Sequence, residues 1–226
     1  MTWTEAQQYC RQHYTDLATI HNTEDLDKLT RPSTYTGDAW IGLFDDVASW
    51  KGVMGNDSNS WRWSVTGTTS TSQYQNWASG QPDYNSAVEK CLYMNSGLWF
   101  DGNCADRLYV VCFTLTEPGF KNYTYVPTLM TWEDAQKYCR QHHTDLAMIE
   151  NQTENMAVAS ITLGKAWLGL YRKPWRWSDG STSNVTSWEN SRPNNYGEVQ
   201  HCVWENSYHD WNDFSCSSLY PFFCHR

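Results

Sequence analysis

No run of apolar residues approaches the ~18 needed to cross a bilayer, and mean hydropathy is −0.70, so no membrane span is expected. Basic residues are scarce. Sixteen Lys and Arg stand against 25 Asp and Glu, a net charge of −9, which argues against a protein that must neutralise nucleic-acid phosphates. No Cys-x-x-Cys pair occurs among the eight cysteines, which removes the zinc-knuckle and thioredoxin readings. Gly-x-Ser-x-Gly, His-Glu-x-x-His and P-loop patterns are also missing, so a binding protein is expected and not an enzyme. A secretory leader is not read either, because Thr2–Gln8 already follows a polar helical pattern.

What remains is rich in rings. Trp 14, Tyr 14 and Phe 7 supply an aromatic core within a 40% hydrophobic composition, and 226 residues suffice for one large domain or two of about 110. The sequons at Asn56, Asn122, Asn151 and Asn184 fit a secreted route, and with it the reading of the cysteines as four disulfides in an oxidising compartment. Charge is uneven. Residues 1–118 carry 7 basic and 14 acidic side chains, a net of −7, whereas 119–226 carry 9 and 11, a net of −2. The first half is the better place for a hard cation.

Self-similarity organises the chain. WTEAQQYCRQHYTDLATI (3–20) matches WEDAQKYCRQHHTDLAMI (132–149) at an offset of 129. Trp40-Ile41-Gly42-Leu43 answers Trp167-Leu168-Gly169-Leu170, and Trp61-Arg62-Trp63-Ser64 answers Trp175-Arg176-Trp177-Ser178. Gln81-Pro82-Asp83 answers Arg192-Pro193-Asn194, and Trp99-Phe100-Asp101 answers Trp211-Asn212-Asp213. Cysteines 10, 91, 104 and 112 keep step with 139, 202, 216 and 224. The first copy has an insertion, Phe44–Ser60, that reads as a surface loop with Asp45-Asp46 on a solvated face.

Each copy is expected to open with a helix. Thr2-x-x-Glu5 and Thr131-x-x-Asp134 look like capping boxes, and Trp3, Ala6, Tyr9 and Cys10 form one apolar face, as do Trp132, Ala135, Tyr138 and Cys139. A second helix is expected from Asn22 to about Thr30 and from Thr153 to about Thr162, followed by short strands and long irregular loops. His13, His142 and His143 fall late in the first helices and read as surface residues, while alternate Trp61/Trp63 and Trp175/Trp177 read as core. Leu108–Leu115 reads as a closing strand and 116–120 as a short linker.

This pattern resembles the C-type lectin-like domain, twice over. The resemblance implies an α+β fold of two consecutive domains, 1–115 and 121–226, each with two helices, short antiparallel sheets and a loop region stapled by disulfides. It implies bridges Cys10–Cys112, Cys91–Cys104, Cys139–Cys224 and Cys202–Cys216. The outer two would close loops of about 100 and 85 residues, for which chain entropy gives about 4–5 kcal/mol each. Members pair a lead-in strand beside the last strand. Lys121–Leu129 fits that role in copy two, and copy one lacks a counterpart, so either a strand is missing there or its last strand has an exposed edge.

In sugar-binding members, Ca²⁺ held by side-chain oxygens also accepts two sugar hydroxyls, and a hard cation of this kind needs 6–8 oxygens. By resemblance, copy one offers Gln81, Asp83, Glu89 and Asp101, a galactose-type Gln-Pro-Asp set, with Phe100 where an Asn is expected. Tyr84 could stack on the sugar's apolar face. Copy two offers Asn194, Asn212 and Asp213, but Arg192 and Gln200 replace two ligands. A guanidinium about 5 Å from Ca²⁺ at a dielectric near 20 repels by roughly 7 kcal/mol, so calcium is expected there only if Arg192 turns away and Glu198 substitutes. Without metal, Arg192 could itself donate to a hydroxyl or carboxylate. The resemblance implies an extracellular or secreted protein recognising glycans or glycoproteins, with at most weak calcium dependence, or alternatively a fold redirected to a protein partner.

Overall fold

The structure, a computed structural model, describes residues 1–117 and 119–226. In chain order the elements are helix α1 (Trp3–His13), strand β1 (Asp16–Leu17), α2 (Thr23–Lys28), β2 (Ala39–Phe44), β3 (Arg62–Trp63), β4 (Glu89–Asn95), β5 (Leu98–Asn103) and β6 (Leu108–Glu117). There follow β7 (Phe120–Met130), α3 (Trp132–His142), β8 (Asp145–Leu146), α4 (Gln152–Ile161), β9 (Ala166–Tyr171), β10 (Arg176–Trp177), β11 (Gln200–Glu205), β12 (Trp211–Ser215) and β13 (Cys224–His225).

The opening helices start where the caps predict. Thr2 Oγ1 accepts the Glu5 N–H and the Glu5 carboxylate accepts the Thr2 N–H, closing a full capping box. Thr131 accepts the Asp134 N–H, but the reciprocal bond does not form among the described residues, because aspartate is one methylene shorter. Trp3, Ala6 and Cys10 are buried as expected, whereas Tyr9 is exposed. The glycine of each Trp-x-Gly-Leu strand has a steric cause. A Cβ on Gly42 or Gly169 would lie about 3 Å from the carbonyl oxygens of the strand that follows the opening helix, and each glycine N–H donates to one of them, Ala18 or Ala147.

The chain folds as two compact units, and these are not the contiguous halves 1–115 and 121–226. One unit is Met1–Asp46, Asn85–Ala87 and Pro174–Arg226; the other is Val47–Tyr84 and Val88–Lys173. The chain crosses over just after the Trp-x-Gly-Leu strand of each repeat, so every unit joins the opening part of one repeat to the closing part of the other. In the first unit the sheet order is β10-β2-β11-β12, with β1 paired to β13. In the second it is β5-β4-β9-β6-β7, with β3 on β9 and β8 on β6. A buried polar pair repeats the exchange. Asp16 of copy one accepts from Ser178 of copy two at 2.6 Å, and Asp145 of copy two accepts from Ser64 of copy one at 2.8 Å.

The disulfides follow the same logic and correct the expected outer pairs. Cys10 bonds Cys224 and Cys112 bonds Cys139, in place of Cys10–Cys112 and Cys139–Cys224; Cys91–Cys104 and Cys202–Cys216 form as expected. The cause lies in the expected linker 116–120, of which Pro118 lies outside the described residues. Glu117 pairs directly with Phe120, so β6 and β7 form one hairpin along ten-residue and eleven-residue strands. Copy one's last strand therefore has its lead-in partner, taken from copy two, and the expected exposed edge is absent. β7 runs into α3, which brings Cys139 to Cys112 after only 27 residues. The other outer bridge, Cys10–Cys224, closes a longer loop of 214 residues, so loop-closure entropy nearly cancels between the two and the hairpin decides the pairing. Non-reducing peptide mapping is expected to recover Cys10 with Cys224 and Cys112 with Cys139; peptides joining Cys10 to Cys112 would overturn this topology.

The core is aromatic as composition implied. Trp61, Trp63 and Trp177 are buried and Trp175 half-buried. Equivalent edge-to-face pairs form in the two units, Trp63 on Trp99 at 6.2 Å and Trp177 on Trp211 at 5.8 Å, the geometry that ring quadrupoles favour. The insertion 44–60 is not merely a surface loop. Trp50 and Met54 are buried, and Asn59 donates to the Lys173 carbonyl at 3.0 Å. Asp45 is likewise buried, 3.9 Å from His201, and not on a solvated face.

Candidate metal and ligand site

In the second unit, Glu89 opens β4 and Asp101 lies on the antiparallel neighbour β5, while Gln81 and Asp83 come from the loop around the cis Gln81–Pro82 peptide. The carboxylate oxygens of Asp83, Glu89 and Asp101 converge within 4.8 Å of one another. Asp101 anchors the loop by accepting the Asp83 N–H at 3.1 Å and the Tyr84 N–H at 2.7 Å. Gln81 accepts the Asp101 N–H at 3.3 Å and donates to Asp83 at 2.8 Å. All four expected ligands of copy one thus meet. Burial lifts the Asp101 carboxyl to about 6, against the two amide hydrogen bonds that pull it down. The donor set suits a hard cation: three carboxylates and one amide oxygen, fewer than the 6–8 oxygens Ca²⁺ takes, so water or hydroxyls would have to complete the shell. Phe100 occupies the position expected for Asn and stacks on Tyr93 at 5.3 Å, contributing no oxygen.

Tyr84 does not face a ligand. It is 0% exposed, edge-on to Trp50 at 6.2 Å, so the expected stacking on a sugar is corrected: its side chain belongs to the core. The main chain explains this, since the Tyr84 N–H must point at Asp101 and the ring turns inward.

The cup of the first unit has the same backbone frame and a different charge. Asp213 accepts from the Asn194 and Asn195 N–H groups at 3.0 and 2.6 Å, beside the cis Arg192–Pro193 peptide. Gln200 accepts the Tyr196 N–H at 2.9 Å, and Asn212 donates to Glu189 at 3.2 Å. Burial raises the Asp213 carboxyl, opposed first by the hydrogen bonds it accepts from the Asn195 and Asn194 N–H groups and least by the charge of Arg192. Among the described residues no second acidic cluster forms, and Glu198 is exposed. Asp213 anchors this loop and Glu189 lies against Asn212, but Gln200 is neutral and an arginine stands at 192 where the other unit has Gln81, so this donor set suits a cation less well than three converging carboxylates.

Two residues escaped sequence reasoning. Tyr196 is 78% exposed beside the Arg192-Pro193-Asn194 triplet. The first residue after the triplet, Asn195, is buried and the second is exposed, a difference that nothing in the sequence marked. Arg172 follows Trp-Leu-Gly-Leu-Tyr and is 2% exposed, its guanidinium 4.0 Å from the Trp50 ring centroid and 4.3 Å from that of Tyr84. No sequence signal marked it.

The frame of helices, Trp-x-Gly-Leu strands, stapled loops and carboxylate-anchored cis-proline turns is that of a lectin-type binding module. The family model for the lectin C-type domain matches residues 1–114 and 128–226, and the chain belongs to that family. C-type lectin 1 of Hydrophis hardwickii is 32% identical over 111 residues, spanning 43% of this chain and 68% of that protein. C-type lectin BML-2 of Bungarus multicinctus is 35% identical over 109 residues, 42% of this chain and 69% of that protein. Among solved structures, the C-type lectin CEL-I from Cucumaria echinata aligns over 96% of this chain and 77% of its own, with TM-score 0.37 and 11% identity. Each curated match is about one repeat long, so the family match follows sequence order although the units exchange segments.

Proposed function

We propose that the second unit binds Ca²⁺ through Gln81, Asp83, Glu89 and Asp101 and, through the ion, neighbouring hydroxyls of a galactose-type sugar on glycans or glycoproteins. The first unit takes no ion in the equivalent place and meets ligand without metal, through Arg192, Asn194, Gln200 and Asn212. The observation that carries the reading is the convergence of three carboxylates in the second unit, with no comparable acidic group among the described residues of the first. Two linked modest sites gain avidity on a dense glycan surface. Four disulfides and exposed asparagines at all four sequons support an extracellular or secreted setting. No catalytic role is assigned.

A glycan array probed in calcium and then in chelator is the test, with galactose-type signals expected to fall in chelator. Silence in both buffers would favour the second reading, a protein partner bound without calcium, which the incomplete donor sets also support. A sharper test is Phe100→Asn. Adding the missing amide oxygen should tighten calcium binding by about 10–100-fold in titration calorimetry, and an unchanged affinity would mean the cup is misplaced.

A further inference from the structure

The second repeat reaches into the first repeat's cup through one side chain. Arg172 is the residue after β9, which joins β4 as a consequence of the crossover. Its N–H donates to the Lys90 carbonyl at 3.0 Å, next to Glu89. Its guanidinium lies 4.3 Å from the ring centroid of Tyr84, the residue after Asp83, and is backed by Trp50 at 4.0 Å and Trp61 at 5.9 Å. One residue thus holds the neighbours of two cup carboxylates, on two different chain segments.

The first unit supplies an internal control. There Asp45 stands at the same position, and its N–H donates to the His201 carbonyl at 2.8 Å, the same main-chain tie. The tie is therefore a property of the fold. The aromatic cage is not: in place of Tyr84 the first unit has Asn195, and in place of the guanidinium it has the Asp45 carboxylate 3.9 Å from His201. The cage occurs in the unit where three carboxylates meet. A guanidinium over ring faces is held more firmly than apolar packing alone would hold it, because ring quadrupole and cation attract, and the Tyr84 ring it holds fixes the amide that orients Asp101.

We propose that Arg172, contributed by the second repeat, is a positioning residue for the Ca²⁺ cup of the first, acting through Tyr84 on the Asp83–Asp101 arm and through its main chain on the Glu89 arm. The inference rests on the calcium reading of that cup.

The experiment is a titration of the full, disulfide-bonded chain with Ca²⁺ by calorimetry and with Tb³⁺ by tryptophan-sensitised luminescence. Arg172→Met, which fills the slot without charge or plane, should weaken both ions about tenfold or more, as losing a partner that orients a ligand does. Arg172→Lys should recover part of the loss, since the charge stays over the rings. A purely structural role would shift the unfolding temperature in chelator and leave ion affinity alone; that result, with wild type binding normally, overturns this inference and spares the calcium reading. A wild-type chain that binds neither ion overturns both. Should Arg172→Met fail to form all four disulfides, Trp50→Phe thins one wall of the cage with the arginine kept, and an ion affinity reduced by about threefold is expected; no reduction overturns the inference.

Discussion

Asp101→Asn is expected to weaken calcium binding by at least about a hundredfold and to abolish any chelator-sensitive glycan signal. A divalent ion 4 Å from one carboxylate at an effective dielectric of about 20 gains about 8 kcal/mol before desolvation is charged against it. A third of that, about 2.7 kcal/mol, is already a hundredfold. The substitution also damages the loop. Both Asp101 oxygens accept backbone amides, from Asp83 and Tyr84, and an Asn side chain must present one N–H₂ to a donor. Calorimetry and the glycan array check the result, and retained affinity would place the ion elsewhere.

Asp101 also sets a pH dependence in the chelated protein. Burial raises its pKa from 3.8 to about 6, so the folded chain binds this proton more tightly than the unfolded one. Its contribution to stability is fully present below about 3.8 and is lost as pH rises through about 6. Bound calcium would stabilise the ionised form and remove the loss. Unfolding temperature compared between wild type and Asp101→Asn, each with and without chelator from pH 4 to 7, should show the wild-type deficit above pH 6 only in chelator.

The kinds of segment were legible in the sequence; which copy each belongs beside was not. Thr2, Glu5 and Thr131 cap the opening helices as their chemistry dictates, and the acidic residues expected as ligands in copy one come together. Pairing is a different problem. When 3–20 and 132–149 present nearly the same surface, Ser64 can meet Asp16 or Asp145 with equal chemistry, and motif spacing within one copy carries no information on the choice. The deciding feature was local: Glu117 against Phe120 makes a hairpin, which carries β7 and the helix after it to the last strand of copy one. The cup survives the exchange because the loop at 81–84, β4 and β5 all lie on the same side of the crossover. Tyr84 was misread for a related reason. A ring beside a binding motif reads as exposed, but the direction of its amide decided the matter.

Arg192→Glu combined with Gln200→Glu should give the first unit a calcium site it does not have. Removing the guanidinium takes away a charge that, were it to stand about 5 Å from an ion, would repel it by roughly 7 kcal/mol, and the two new carboxylates join Asp213, matching the three that converge in the other unit. The frame is ready to receive them. A carboxylate at position 200 would keep the bond that Gln200 accepts from the Tyr196 N–H, and the Asn212 Oδ1 is buried without a hydrogen-bond partner, an oxygen that an ion would satisfy. The set becomes Glu-Pro-Asn with Asn212 and Asp213, which resembles the mannose-type arrangement, and dissociation constants of about 10⁻⁴–10⁻³ M are typical of extracellular calcium modules. Made in the Asp101→Asn background, the double change isolates this unit, so calorimetry should register one new ion and the glycan array a mannose-type signal lost in chelator. A protein that stays blind to calcium would show that the loop around Arg192–Pro193 does not align its oxygens on a common centre, and that the likeness between the two cups ends at the backbone.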